Sequence, residues 1–372
     1  VSGIPFVDLR PGDDAAAVRA AIDRVIERGW FVLGPEVEAF EREFAAAAGA
    51  RHAVGVANGT DAIALLLRAA GVGPGDEVIV PAMTAAYTGL AVMMAGGTPV
   101  FADVEPGTLT LDPRAAAAAI TSRTRALVPV HLYGQAADLD SLSDVAARHN
   151  LALIEDCCQA HGATYRDQPV GSRGAGAAFS FYPTKNLGAL GDGGAATTNA
   201  ADVAARLRRL RNGGQADRYH HVEPGVNSRL DEVQAAILRA RLPRLGAATA
   251  RRRAIAARYR AQLPAALATI REREPGHVYH LFPVLSPDRD ALQAHLSGSG
   301  IETLIHYPVP LHRQPAFDGP AEAGHYVRQE CPVAARAANE LLSLPLHPRL
   351  ADADVDRVTA AVDQFMKGRV LA

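Results

Sequence analysis

Between residues 50 and 210, short apolar runs alternate with amphipathic stretches, and that alternation restricts the chain more than any other feature. Apolar runs fall at 53–56, 77–80, 99–102, 126–130, 151–155, 178–181 and 195–198, as expected of strands buried on both faces. Helical patterns at 61–70, 86–95, 139–149 and 202–211 separate most of them. The rhythm predicts an α/β fold, a mostly parallel sheet covered by helices. Past residue 229 it changes. A helical stretch covers 229–262, with Pro243 as its break or kink. Fewer strands and more helices follow, at 277–285, 289–296, 301–307, 331–342 and 355–367, and the Pro- and Gly-rich stretch 308–324 reads as a loop. The chain divides into a large unit, residues 1–245 with the N-terminal segment, and a smaller C-terminal α+β unit, residues 246–372. Its 372 residues, 48% hydrophobic, suffice for a large core.

Charge excludes some partners. With 38 basic and 40 acidic residues the net charge is −2, which offers nothing to nucleic acid or to an anionic membrane. No apolar run is long enough to span a bilayer, and Val1-Ser2-Gly3-Ile4-Pro5 lacks a signal-peptide pattern, so a soluble cytoplasmic protein is expected. Cys157, Cys158 and Cys331 form no disulfide framework, and no metal site is expected.

Open parallel sheets bind ligands beyond the carboxyl ends of their strands, and polar groups sit where such ends are expected. Lys185 follows an apolar run, in Phe179-Ser180-Phe181-Tyr182-Pro183-Thr184-Lys185-Asn186-Leu187-Gly188, which leads on to Gly191-Asp192-Gly193-Gly194. A lysine withdrawn from water there has a lowered pKa and a free amine, the state that forms Schiff bases with carbonyl compounds such as pyridoxal phosphate (PLP). The plainer alternative is a surface lysine after a strand. Asp156 ends the run 151–155. A buried carboxylate needs a cationic partner, and a protonated pyridine nitrogen is one, although a helix cap or a surface acid is the ordinary role. Asn58-Gly59-Thr60-Asp61 opens a helix, where Gly59 admits a ligand to the backbone, the N–H groups and dipole favour phosphate, and Thr60 adds a hydroxyl. The competing role is a simple N-cap by Asn58 or Thr60. Ser180 is polar within an apolar run, and a phosphate oxygen is one partner for its hydroxyl. Gln159 is placed to meet the coenzyme's ring oxygen. His161 reads as a packing or substrate-side residue, because the lysine supplies the base.

Five stretches together carry a resemblance: Ala57-Asn58-Gly59-Thr60-Asp61-Ala62, Gly75-Asp76-Glu77-Val78-Ile79-Val80-Pro81, Val130-His131-Leu132-Tyr133-Gly134-Gln135, Glu155-Asp156-Cys157-Cys158-Gln159-Ala160-His161-Gly162, and the lysine segment from Ser180 to Gly188. The chain resembles the DegT/DnrJ/EryC1/StrS family of PLP-dependent sugar aminotransferases from Leu33-Gly34-Pro35 to Ile305-His306-Tyr307-Pro308. The resemblance implies the aspartate aminotransferase fold (fold type I) and a homodimer with shared active sites. It implies that Lys185 forms the imine with PLP, that Asp156 pairs with the pyridinium, and that Gln159 contacts the ring hydroxyl. Gly59, Thr60 and Ser180 would bind the phosphate, as would Asn227 of Gly225-Val226-Asn227-Ser228-Arg229 in the other subunit.

One departure concerns the ring face. Where many members stack an aromatic side chain on PLP, the segment Pro81-Ala82-Met83-Thr84-Ala85-Ala86-Tyr87 has Ala85, so Met83, Tyr87 or small apolar groups cover the ring. Cys157-Cys158 replaces a pair that is often small, and packing is the expected role. The resemblance further implies L-glutamate as donor and a nucleotide-linked keto-deoxysugar as acceptor. The run from Tyr219 to Glu232 looks like members acting at C3, which favours a dTDP-3-keto-6-deoxyhexose. Tyr182, His220, His221, Arg229, His306, Tyr307 and His312 are the substrate-side candidates, each with a plain structural role as its alternative. Three other activities remain: a 4-keto-sugar aminotransferase, a sugar dehydratase, and a non-catalytic regulatory protein on the same fold. Relatives that dehydrate replace the lysine by histidine, and a regulatory scaffold predicts loss of Lys185 or Asp156.

Overall fold

Seven strands form one sheet in the order His52–Val56, Gly194–Thr198, Gly176–Ser180, Ala152–Asp156, Thr124–Leu127, Glu77–Pro81, Thr98–Ala102. All run parallel except Gly194–Thr198, which is antiparallel to both neighbours. The computed structural model describes residues 3–318 and 330–370. Parallel neighbours need crossovers, and helices Gly59–Ala69, Ala86–Met94 and Leu139–Arg148 supply them. Gly194–Thr198 needs none. The loop holding Lys185 simply turns back from Ser180, which is why this strand runs the other way.

Both faces of the sheet are covered. Alternate strand residues enter different cores: Val54, Val80, Ile154 and Ala178 pack on one side, Leu153, Ala177 and Phe179 on the other. The helices start where side chains satisfy their first N–H groups. Asn58 accepts from the Asp61 amide at 2.9 Å and Asp138 from Ser141 at 3.2 Å. Helix Pro35–Ala47 is capped from a distance, because the buried Glu232 carboxylate accepts from the amides of Gly34, Glu36 and Val37 at 2.8–2.9 Å. That helix and Ala15–Arg28 lie outside the sequence expectation.

The C-terminal part carries a three-stranded antiparallel sheet, Ala268–Thr269, Phe282–Leu285 and Leu341–Leu344, backed by helices Leu245–Gln262, Arg289–Gly298 and Asp352–Val370. Pro243 lies in the 3-10 turn between Glu232–Arg241 and Leu245–Gln262, as the expected break. Two expectations need correction. Helix Pro332–Glu340 ends early because Leu341–Leu344 pairs with Phe282–Leu285, so tertiary pairing overrides the helical pattern. Residues 301–307 make only isolated bridges, Ile301 with Ile4 and Leu304 with Ser343. The expected loop at 308–324 contains 3-10 turns at Leu311–Arg313 and Pro315–Phe317, and its residues 319–324 lie outside the described ones. No described helix is long and apolar enough to cross a membrane.

Candidate active site

Three strands bring their carboxyl ends to one rim. Val56 leads into Asn58 and Gly59, Asp156 closes its strand, and Ser180 leads into the Lys185 loop. Side-chain alternation then sorts the polar groups. Asp156 shares the face of Ile154, and Ser180 shares the face of Ala178, which is the side covered by helices Gly59–Ala69 and Ala86–Met94. The two residues therefore look toward the same helix ends. Glu155, one residue earlier, looks the other way.

Asp156 is buried, 4% exposed, and its carboxylate is held in place. Oδ2 accepts the Thr88 hydroxyl at 2.8 Å, and Oδ1 accepts the Cys158 amide at 3.0 Å. Neither partner is a cation, so the negative charge still lacks a direct counter-ion. Gln159 is equally fixed. Its Oε1 accepts the Tyr133 amide at 2.7 Å, and its Nε2 donates to the Tyr307 hydroxyl at 2.9 Å. Tyr133 is fully buried with a left-handed backbone, φ 59°, and its hydroxyl donates to the His306 carbonyl at 2.5 Å. A non-glycine residue at such a φ costs roughly 1–3 kcal/mol, which these hydrogen bonds offset. Thr88, Tyr133 and Cys158 were not expected at the site.

The Lys185 loop is shaped by its own backbone. The Lys185 amide donates to the Tyr182 carbonyl at 2.8 Å, and a Cβ at Gly188 would stand 2.5 Å from the Pro183 carbonyl oxygen. Asn186 ties the loop to the C-terminal part, with Nδ2 on the Val278 carbonyl at 3.0 Å and Oδ1 against His280 Nδ1 at 3.3 Å. Burial pushes the Lys185 amine below its ordinary pKa, and the nearby Cys158 and Asp156 pull it back. The amine makes no hydrogen bond to either, so it is free to react.

Three histidines lie close enough to feel that lysine. His161 sits between Phe179 and Phe181 with ring centroids 5.6 Å away, and neither ring nitrogen has a hydrogen-bond partner in good geometry. Burial pushes His161 down to about 3 and His306 to about 4, and takes His280 well below its ordinary value. All three are neutral at physiological pH, which agrees with a packing role for His161. The unfolded chain protonates these rings below about 6.5 while the folded one does not, so stability is lost as pH falls from there. The melting temperature is expected to drop steadily between pH 7 and 4.5, with a shallower slope in His161→Leu; a flat profile would contradict their burial as neutral groups.

On the opposite face, His131, Glu155 and Cys157 bring ligand-type atoms within 4.8 Å of one another. Their hydrogen bonds identify a structural knot. His131 Nδ1 accepts the Ala137 amide at 3.0 Å, so Nε2 carries the proton and donates to Glu155 Oε2 at 2.9 Å. Glu155 also accepts the amides of Gly171 and Arg173 at 3.0 and 2.8 Å. Burial holds the Cys157 thiol protonated. The free lone pair of His131 and both carboxylate oxygens of Glu155 are already used in these bonds.

Of the remaining candidates, Tyr182 belongs to the Lys185 loop and His306 lies near the lysine, whereas His220, His221, Asn227 and Arg229 are not gathered around it within one chain. Tyr182 is 51% exposed, while His220 and His221 lie on an exposed hairpin, where His221 bonds the Gly213 carbonyl at 2.7 Å. Asn227 is exposed and bridges Asn212. Half-buried Arg229 donates to Asn212 Oδ1 at 3.3 Å, which supports its structural alternative. His306 Nδ1 meets the Ser343 hydroxyl at 3.0 Å. At the ring face, Met83 is buried in the core and Tyr87 is 65% exposed. Ala85 lies three residues before Thr88 on one side of the helix start, which favours cover by small groups.

The residues fit PLP. At Gly59 a Cβ would stand 2.7 Å from both Cys158 Sγ and Ser180 Cβ, so only glycine leaves backbone N–H groups open to a phosphate there. Thr60 follows in the first turn of the same helix. Across the pocket stand an acid without a cation and an amine without a hydrogen bond, as a pyridine nitrogen and an aldehyde require. A family model described as the DegT/DnrJ/EryC1/StrS aminotransferase family matches residues 13–363. The chain is 48% identical over 367 residues to dTDP-3-amino-3,4,6-trideoxy-alpha-D-glucose transaminase of Streptomyces venezuelae, covering 97% of this chain and 96% of the relative. It is 46% identical to dTDP-3-amino-3,6-dideoxy-alpha-D-galactopyranose transaminase of Aneurinibacillus thermoaerophilus, covering 97% and 99%. The structure of NtdA from Bacillus subtilis with bound cofactor PMP superposes with a TM-score of 0.92 at 31% identity, covering 99% of this chain and 86% of that one.

Proposed function

The chain belongs to the DegT/DnrJ/EryC1/StrS aminotransferase family, and from that membership we propose that it moves the amino group of L-glutamate to the C3 ketone of a dTDP-linked 3-keto-6-deoxyhexose. It is a PLP-dependent aminotransferase. The choice of a C3 ketone on a dTDP sugar rests on the two relatives above, both named for dTDP-linked 3-amino sugars.

Bound PLP supplies an electrophilic aldehyde and a ring that draws off the electrons of a carbanion. Lys185 would hold it covalently, Asp156 would face its ring nitrogen, Gln159 its ring oxygen, and Gly59, Thr60 and Ser180 its phosphate. Burial lowers the pKa of the Lys185 amine, so it gives up its charge more readily than a free lysine, and it is the group placed to take a proton from the donor's alpha carbon and return it on the acceptor side. Asp156, fixed by Thr88 and the Cys158 amide, keeps a negative charge where the ring nitrogen needs a proton. Tyr307, oriented by Gln159, and His306, neutral and half-buried, are the nearest groups for sugar hydroxyls. The test offers the protein L-glutamate with dTDP-linked 3-keto or 4-keto deoxysugars and measures 2-oxoglutarate. Amination of the 3-keto sugar is expected; turnover of the 4-keto sugar alone would replace the C3 assignment, and no 2-oxoglutarate with any sugar would favour a regulatory scaffold.

Completion of the site by a second copy belongs to the same proposal. Trp30, Phe31, Tyr87, Tyr182 and Tyr219 are 51–78% exposed, more aromatic surface than a monomer usually leaves in water. A homodimer covering it would bring Asn227, and with it His220 and His221, to the other subunit's phosphate and substrate. Inactive Lys185→Ala and Asn227→Ala proteins, mixed under subunit exchange, are expected to recover about a quarter of native activity, because statistical mixing makes half the molecules mixed dimers with one intact site of two. No recovery despite proven exchange would place Asn227 in its own subunit's site. Three unpaired cysteines suit the reducing cytoplasm as the compartment.

A further inference from the structure

Tyr133 is buried, yet it bonds to two different sides of the pocket. Its amide donates to Gln159 Oε1 at 2.7 Å, and its hydroxyl donates to the His306 carbonyl at 2.5 Å. Gln159 Nε2 in turn donates to the hydroxyl of Tyr307, the residue after His306, at 2.9 Å. These contacts close a ring through Tyr133, His306, Tyr307 and Gln159. One side of the ring is Gln159, assigned to the coenzyme's ring oxygen. The other is the 306–307 pair, assigned to the sugar. Little else holds that pair. Among the described residues, the backbone groups of 305–308 make no other hydrogen bond. The flanking ties are the Leu304 bridge to Ser343 and the Leu311 amide on the Ala82 carbonyl at 2.8 Å. The His306 ring adds the Ser343 hydroxyl at 3.0 Å and a stack on Phe6 with centroids 5.7 Å apart. Tyr133 is itself braced, because its carbonyl accepts the His280 amide at 2.9 Å. Burial keeps its hydroxyl protonated and therefore a donor.

We propose that Tyr133 is a positioning residue for the keto sugar, which sets the 305–308 segment, and with it the sugar, in register with the coenzyme ring. This rests on the placement of coenzyme and sugar proposed above. The hydroxyl is committed to the His306 carbonyl, so it acts on the sugar only through the segment it holds. Gln159 donates to Tyr307, which leaves the Tyr307 hydroxyl its own proton for a sugar oxygen. Without the Tyr133 hydroxyl, the His306 carbonyl has no partner and the segment shifts toward water, carrying Tyr307 with it. A displacement of about 1 Å between reacting groups can cost on the order of 10²-fold in rate. L-Glutamate has no hydroxyl groups for 306–307 to hold, so its half of the reaction depends less on the tie.

The experiment compares native and Tyr133→Phe protein. The phenyl ring fills the same core space, and the amide and carbonyl bonds of residue 133 do not need the hydroxyl, so the variant is expected to fold and to take up PLP. Single-turnover kinetics then separate the two halves: L-glutamate with PLP-loaded protein, and the dTDP-linked 3-keto sugar with protein carrying the transferred amino group. The second-order rate constant for the sugar is expected to fall about 10- to 100-fold, and that for L-glutamate by no more than about threefold. A second readout needs no turnover. In coenzyme-stripped protein, hydrogen exchange across residues 301–311 is expected to quicken at least about threefold in the variant, while 152–163 stays as in the native protein. A native sugar rate, an equal or larger loss for L-glutamate, or unchanged exchange across 301–311 each overturns the proposal and leaves the functional reading standing. If native protein aminates only the 4-keto sugar, that sugar takes the place of the 3-keto one in the same comparison. If it aminates neither, the functional reading and this proposal fall together.

Discussion

Lys185→Ala protein will fold, will lack the visible absorbance that PLP gives the native protein, and will turn over at least about 10⁴-fold more slowly. Two losses combine. The amine that would hold the coenzyme is gone, and so is the base that would carry a proton to and from the alpha carbon. Folding survives because burial disfavours the lysine's charge and the amine makes no hydrogen bond to its charged neighbours, so its removal leaves no partner stranded. The loop keeps its shape through the Lys185 amide on Tyr182 and through Asn186 on Val278, both of which the substitution retains. Circular dichroism and gel filtration should therefore match the native protein. Added methylamine, small enough to enter the vacated space, is expected to restore part of the proton transfer. A variant that turns over at native rates, or that keeps the absorbance, would remove Lys185 from the chemistry.

The strand ends were legible because chemistry and pattern coincide there. Asp156 closes a run of four apolar residues and Glu155, so its place on the rim follows from the run itself, and Lys185 is marked by the Pro and Gly that shape its loop. What escaped the sequence comes from contacts between distant segments. Thr88 matters only because one helix start meets Asp156, 68 residues on. Tyr133 serves through a backbone amide, which leaves no side-chain signature, and His280 reaches the lysine loop from 94 residues beyond Asn186. Helices Ala15–Arg28 and Pro35–Ala47 precede the alternation of strands and helices that the reading rested on, and Glu232, which caps the second, is remote in sequence. Leu341–Leu344 looked like a continuing helix because nothing local reveals the strand it pairs with. The hairpin with His220 and His221 was legible as a motif, whereas its exposed position was not.

Asp156→Ala should weaken PLP binding by roughly 10²- to 10⁴-fold, the equivalent of about 3–5 kcal/mol for removing one partner of a buried charge pair. The carboxylate is 4% exposed and its two hydrogen bonds come from neutral donors, so no direct ion pair meets it until a cation arrives. A protonated ring nitrogen would be that cation. In the coenzyme-free protein the substitution acts in two opposing ways. It strands the Thr88 hydroxyl and the Cys158 amide, which costs about 1–3 kcal/mol for each group that water cannot reach. It also relieves an uncompensated buried charge, which offsets part of that cost. The melting temperature of stripped protein should therefore move little, while that of coenzyme-loaded protein should fall, because the stabilisation by added PLP rises with the logarithm of its affinity. Asp156→Asn separates charge from shape. It keeps the size of the side chain and can still accept one hydrogen bond, so stripped protein should melt near the native temperature while coenzyme affinity drops almost as far as in the alanine variant. Native affinity in Asp156→Asn would show that the residue serves as a hydrogen-bonded strut, and the electron-drawing role assigned to the ring would then need another counter-charge in the pocket.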